Sequence, residues 1–376
     1  MSRVLFATVP QAGHVNPGLP IARTLVERGH EVMWYTGQSF RAAIEATGAR
    51  FAPIENAVDP GDTKLDVLLP ERAKLVGLAG FKFDLKYFFL DNLPGQIADL
   101  QHILQSYTAD VVLGDTGFFG AGMLHELGGP RWATYGITGL ALNSRDTMPF
   151  GTGLPPSATA LGRVRNRLAT TLFERVLFHD VQRHFQQTRQ LLGLTRATTS
   201  FLRAMLSPFL YLHGATPAFE YPRSDLAPQV HFIGPLLPAS PSHFVPPAWW
   251  PELHSGKTVV LVNQGTVATT LDDLIVPTLH ALADEDVLVI ATTGGAPVES
   301  LGALPANARV TPFIPFGALL PHVDVMITNG GYGGVQFALA NGVPLIVAGT
   351  TEDKPEIARA WPGAVPVSIL KQRPRL

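Results

Sequence analysis

Apolar positions in the first fifty residues alternate between two spacings. Val4 to Val9 and Glu31 to Tyr35 are rich in β-formers, whereas Pro17 to Arg28 and Phe40 to Thr47 carry apolar residues at helical intervals. This βαβα opening predicts a parallel, doubly wound sheet with right-handed crossovers. Such sheets bind ligands beyond the carboxyl ends of their strands. Asp110 to Leu113 and Trp132 to Tyr135 continue the strand pattern around a short helix at Gly120 to Leu127. Residues 55 to 95 and 145 to 200 are less regular, long insertions of the kind that shape binding walls. The second holds a basic, helix-compatible run from Arg163 to Arg189, whose arginines read as a solvated face.

All periodicity stops at Pro235 to Pro251, where repeated prolines support neither helix nor central strand and predict an extended linker. The βα alternation then restarts, with strands expected at Thr258 to Asn263, Val287 to Thr292, Arg309 to Thr311, Val325 to Thr328 and Pro344 to Ala348. Two Rossmann-like α/β domains in series follow from this pattern: residues 1–234, a linker over 235–255, and residues 256–376.

Composition changes the picture mainly by exclusion. A hydrophobic fraction of 46% against 15% charged residues supplies sizeable cores, and a net charge of -2 gives no basic field to attract nucleic acid or anionic lipid. With no cysteine there is no disulfide framework, thiolate nucleophile or thiolate metal site, which suits a reducing cytoplasm. Glu71, Lys74, Lys82, Asp84 and Lys86 interrupt the most hydrophobic long region, short of the roughly 18 apolar residues of a membrane span. A soluble, cytoplasmic protein is expected.

The most informative segment runs from Val325 through Asn329, Gly330, Gly331, Gly333 and Gly334 to Pro344. A strand enters a four-glycine turn and then a helix, so backbone amides and the positive end of the helix dipole converge where a phosphate can bind. Tight strand-to-helix packing also calls for glycine, and that reading stands beside the first. At the other end of the chain, His14 follows the first strand and Asp115 follows another. Neutral imidazole suits general-base work near neutral pH, and Asp115 could accept from its second nitrogen; a plain surface or capping histidine is the alternative.

The glycine turn followed by Glu352, Asp353 and Lys354 resembles the donor signature of the GT-B nucleotide-sugar-dependent glycosyltransferases, the family of macrolide, flavonoid and glucuronosyl transferases. The likeness extends in order through Gly13-His14-Val15-Asn16-Pro17, Gly114-Asp115, Phe232-Ile233-Gly234-Pro235, Asn263-Gln264-Gly265-Thr266 and Phe313-Ile314-Pro315-Phe316. It implies two Rossmann-like domains facing across a cleft, acceptor-binding first and donor-binding second. It implies His14 and Asp115 as a catalytic dyad, with Gln264, Gly265, Thr266, Phe313, Ile314, Asn329, Gly330, Gly331, Gly333, Gly334, Asp353 and Lys354 around the donor.

Phe313 falls where the family has an aromatic stacked on the nucleobase, although ordinary core packing fits a Phe equally well. Thr266 would reach the diphosphate or simply cap a turn. Two positions depart from the family pattern: Asn329 replaces a phosphate-binding histidine, and Lys354 replaces the amide that pairs with the acidic residue on the sugar.

The implied reaction is inverting transfer of a hexosyl group from a UDP- or dTDP-sugar to a hydroxyl of a small hydrophobic acceptor. The nucleotide sugar acts as co-substrate, without metal or other cofactor. The aromatic stripe Phe81 to Leu90 would serve that acceptor or a core. Competing expectations are a weak or inactive nucleotide-sugar-binding homologue and a GT-B epimerase. The tail from Trp361 carries three prolines and no convincing amphipathic helix, so a closing element is expected to be missing and apolar surface exposed.

Overall fold

A computed structural model describes residues 1–61, 63, 65–75, 77–197, 199–240, 244–265, 270–348 and 357. The chain divides into two compact units, Met1–Pro238 and Ala239–Leu376.

The first unit is built on seven strands: β1 (Arg3–Ala7), β2 (Glu31–Thr36), β3 (Arg50–Pro53), β4 (Val111–Asp115), β5 (Arg131–Gly136), β6 (Tyr211–His213) and β7 (Val230–Phe232). They pair in parallel in the order β3-β2-β1-β4-β5-β6-β7. Both faces are covered, so β1 reads as an unbroken apolar run: Leu5 and Ala7 enter one core, Val4 and Phe6 the other. The order reverses between β1 and β4, where Ala7 lies opposite Gly114. A doubly wound sheet opens its ligand crevice at this switch point.

The second unit repeats the plan with β8 (Thr258–Asn263), β9 (Val287–Thr292), β10 (Ala308–Thr311), β11 (Val325–Thr328) and β12 (Leu345–Val347), ordered β10-β9-β8-β11-β12. Val259 and Leu261 of β8 face one core and Val260 and Val262 the other. The switch point lies between β8 and β11, where Asn263 pairs with Thr328. Of the expected linker, Phe244, Trp249 and Trp250 pack against the second core, and Trp250–His254 forms a short helix.

Three strands, β3, β6 and β7, of three or four residues each, fall outside the expected runs. The irregular stretch before residue 95 leads into a 14-residue helix, Leu93–Ser106, which buries Gln96 and Asp99 among its apolar residues and so blurs its own amphipathic pattern. Asp99 is satisfied there by the Tyr35 hydroxyl at 2.7 Å and by amides of residues 55 to 57.

The arginine run meets expectation in most of its members, with Arg165, Arg167, Arg175 and Arg183 exposed. Helix Ala160–Leu172 buries Gly162 and Asn166 and turns Leu161, Val164, Leu168 and Leu172 outward. Arg163 is held by Asp146, and Arg189 is buried in a two-pronged bond to Glu126, with further bonds to the Thr195 carbonyl. Arg163 and Arg189 are the exceptions, their planar guanidinium groups cross-linking loops to helices. No described helix is long and apolar enough to cross a membrane.

Candidate active site

Backbone geometry brings His14 to the first switch point. The chain leaves β1, passes Pro10, and coils into a four-residue helix, Ala12–Val15, whose His14 and Val15 amides both donate to the Gln11 carbonyl. Asp115 closes β4, the strand beside β1. Imidazole Nδ1 and carboxylate Oδ1 stand 2.7 Å apart, with the Asp115 side chain fully buried and the His14 side chain 13% exposed.

Asp115 is further fixed by the amides of Val9, on Oδ2 at 2.9 Å, and of Gly117, on Oδ1 at 2.6 Å. With Oδ1 and Oδ2 fixed by these amides, Asp115 is placed to accept from Nδ1 and to orient the ring. Nε2 has no hydrogen-bond partner among the described residues. The arrangement is that of a general base with an orienting acid.

Tyr135, at the end of neighbouring β5, was not singled out by motif reasoning. Its hydroxyl donates to the His14 carbonyl at 2.5 Å. Burial, reinforced by the charge of Asp115, pushes this phenol well above its ordinary value, so it remains a donor. Its position one strand beyond Asp115, at a strand end on the same edge, was the signal available in the sequence.

The second switch point gathers groups of another kind. After β8, Asn263 accepts from the Gly265 amide at 3.1 Å and donates to Thr292 at 2.7 Å. Gln264 is buried, and its amide nitrogen donates to the Thr270 carbonyl. Gly265 and Gly330 take φ of +83° and +89°, a conformation costly for residues with a Cβ.

Asn329 bridges the two turns: its Nδ2 donates to the Gln264 carbonyl, and its Oδ1 accepts from Gly331 at 3.3 Å. Helix Tyr332–Ala340 then begins at Gly331 with no side-chain cap. The first amides of a helix find no carbonyl one turn back, and nothing lies within 4 Å of where a Cβ on Gly333 would stand. Gly334 sits in ordinary contact with Met326 and Phe316. An uncapped helix start with bare backbone favours an anion.

Phe313 is 63% exposed, which answers the core-packing alternative; its ring edge lies 3.2 Å from the Cβ position of Gly295 on the loop after β9. Ile314 buries its side chain in the core below. The structure therefore brings Gln264, Gly265, Asn329, Gly330 and Gly331 together, with Gly333 and Gly334 opening the helix and Phe313 at the end of β10. Thr266, Asp353 and Lys354 lie outside the described residues, as does the tail expected to expose apolar surface. Among the described residues no three His, Asp or Glu side chains gather as a metal site.

Two parallel α/β sheets, one carrying the His14–Asp115 pair at its switch point and the other the glycine turn, match the GT-B fold. Comparison with known proteins agrees. The family profile described as Erythromycin biosynthesis protein CIII-like, C-terminal domain, matches residues 276–364. The chain is 49% identical over 366 residues to 4'-demethylrebeccamycin synthase of Lentzea aerocolonigenes, covering 96% of this chain and 86% of that one. It is 37% identical to UDP-glycosyltransferase 2 of Phaeomoniella chlamydospora, with 96% and 83% covered.

Among solved structures, CalG4, the calicheamicin glycosyltransferase, superposes with a TM-score of 0.70 at 22% identity, over 96% of this chain and 83% of that one. VinC in complex with dTDP gives 0.61 at 20% identity, over 95% and 84%. The chain belongs to this glycosyltransferase family and is an enzyme of that class.

Proposed function

We propose that the enzyme transfers a hexosyl group, with inversion, from a UDP- or dTDP-sugar to a hydroxyl of a small hydrophobic natural product. The single observation behind the chemical step is the His14–Asp115 contact at 2.7 Å with Nε2 left open. His14 Nε2 takes the acceptor proton as the acceptor oxygen attacks the anomeric carbon. The new C–O bond forms as the bond to the β-phosphate oxygen breaks, and the nucleoside diphosphate carries away the negative charge. Asp115 steadies the imidazolium.

The leaving diphosphate settles at the Gly330–Gly331 turn on the amides of Gly333 and Gly334, where the helix dipole does work that a divalent cation does in other transferases. Asn329 keeps the two turns in register and has a second amide hydrogen to offer the phosphates. Thr266 would contact the diphosphate, Phe313 and the Ile314 backbone the nucleobase, and Asp353 with Lys354 the sugar. No metal or other cofactor takes part. The acceptor class draws on the names of the relatives, which include a rebeccamycin-type synthase and a calicheamicin glycosyltransferase. The absence of cysteine fits a reducing cytoplasm as the site of action.

The test is nucleoside diphosphate release from UDP- and dTDP-sugars with a panel of phenols and macrolides, with and without EDTA. Release that depends on the acceptor and survives EDTA is expected. Donor binding without turnover on any acceptor would instead favour a binding homologue, and loss of turnover in EDTA would overturn the metal-free reading.

A further inference from the structure

We propose that Gly117 and Phe89 are positioning residues for the base, confining the His14 imidazole so that Nδ1 stays on Asp115 and Nε2 stays open; this rests on His14 being the base. A methyl group built on Gly117 would lie 2.7 Å from His14 Cε1, 3.0 Å from Phe89 Cε1 and 3.1 Å from Asp115 Oδ1. The 2.7 Å contact does not survive in folded proteins and the other two are tight, so something must give.

The backbone at residue 117 is poorly placed to yield. Its amide donates to Asp115 at 2.6 Å, its carbonyl accepts from Phe119 at 3.2 Å, and the Phe118 amide closes the turn on the Asp115 carbonyl at 3.0 Å. Nor can the His14 main chain move freely, because the Tyr135 hydroxyl grips its carbonyl. The ring itself would have to turn. Cε1 lies between the two ring nitrogens, so any displacement there disturbs the Asp115 bond and the direction of Nε2 together.

Phe89 sets the other limit. It belongs to the π-helix Asp84–Leu90, in which Leu85, Phe88 and Leu90 are buried in the core. The adjacent Phe89 is left against the imidazole, ring centroids 5.9 Å apart and planes tilted by 42°. Of the aromatic stripe from Phe81 to Leu90, this is the ring that reaches the dyad. π-Helical turns often mark functional positions, and here the turn delivers a side chain to the base.

Confinement matters because a general base must be aligned within a few tenths of an ångström, and a ring free to rotate loses that alignment. The test reads the imidazole directly. In the full chain labelled with ¹⁵N-histidine, with His14 assigned by its loss in His14→Gln, the neutral ring should carry its proton on Nδ1. Gly117→Ala should lose that tautomer signature, and Phe89→Leu should weaken it.

With the UDP- or dTDP-sugar and phenol that the unaltered chain turns over, Gly117→Ala should lower kcat by about 100-fold and leave donor KM within twofold. Should Gly117→Ala fail to fold, Phe89→Leu decides, with kcat expected to fall by about fivefold. Unchanged tautomer and kcat in Phe89→Leu and Gly117→Ala, with at most a lower Tm, would overturn the proposal. Full activity in His14→Ala would instead remove the reading it rests on.

Discussion

At the first switch point a buried carboxylate meets an imidazole at 2.7 Å, whereas the residues described at the second are amides, hydroxyls and glycines. Strand order puts both in the same topological place, the reversal between the first and fourth strands of each sheet. The contrast reflects what each ligand demands. Removing a proton needs a group that changes charge in the working pH range, and such a group must be oriented by a second. Holding a diphosphate needs many weak donors around one point and no side chain in the way, which glycine and a helix start provide. On the proposed function, one architecture would support catalysis by placing a charge and binding by removing Cβ atoms.

The sharpest way to break this contrast is to remove the proton acceptor. His14→Ala should lower kcat by about 10²–10⁴-fold with donor affinity unchanged, as read by steady-state kinetics and calorimetry. Next in size, Asn329→Ala leaves the Gln264 carbonyl without its partner and uncouples the two phosphate-side turns. A loss of about 1–3 kcal/mol in urea unfolding is expected, with weakened donor binding. Phe313→Ala removes an exposed ring and should leave stability unchanged, while donor KM rises by about 3- to 10-fold from lost stacking.

The smallest effect involves neither site. Hydrogen bonds from the Ser224 hydroxyl and amide, then Arg163, hold the Asp146 carboxyl down to about 2. A folded value below the unfolded one adds stability that is present above about pH 4 and lost as pH falls toward 2. Melting curves over that range should show the loss, and Asp146→Asn should remove that part of the slope.

Much of this contrast was legible in the chain. β8, β9 and β11 coincide with the expected runs, since a strand buried on both faces is a continuous apolar block. The glycine turn announces itself because Gly330 needs positive φ and Gly333 a bare surface. The supports of the dyad were harder to see. Nothing local to Tyr135, Phe89 or Gly117 marks them as neighbours of His14; their role comes from strand order and from a π-turn, both products of long-range packing. The buried arginine, Arg189, was hidden for a related reason. Charge patterning registers Arg189 but not Glu126, its partner 63 positions away.

The division of labour between the units is tested most directly by a two-by-two cycle of His14→Ala and Phe313→Ala, with kcat and donor KM measured for all four proteins. The account predicts that kcat follows His14 alone, KM follows Phe313 alone, and the double variant shows both effects multiplied. A rise in donor KM from His14→Ala as large as that from Phe313→Ala, or a kcat in the double variant no lower than in Phe313→Ala, would contradict it.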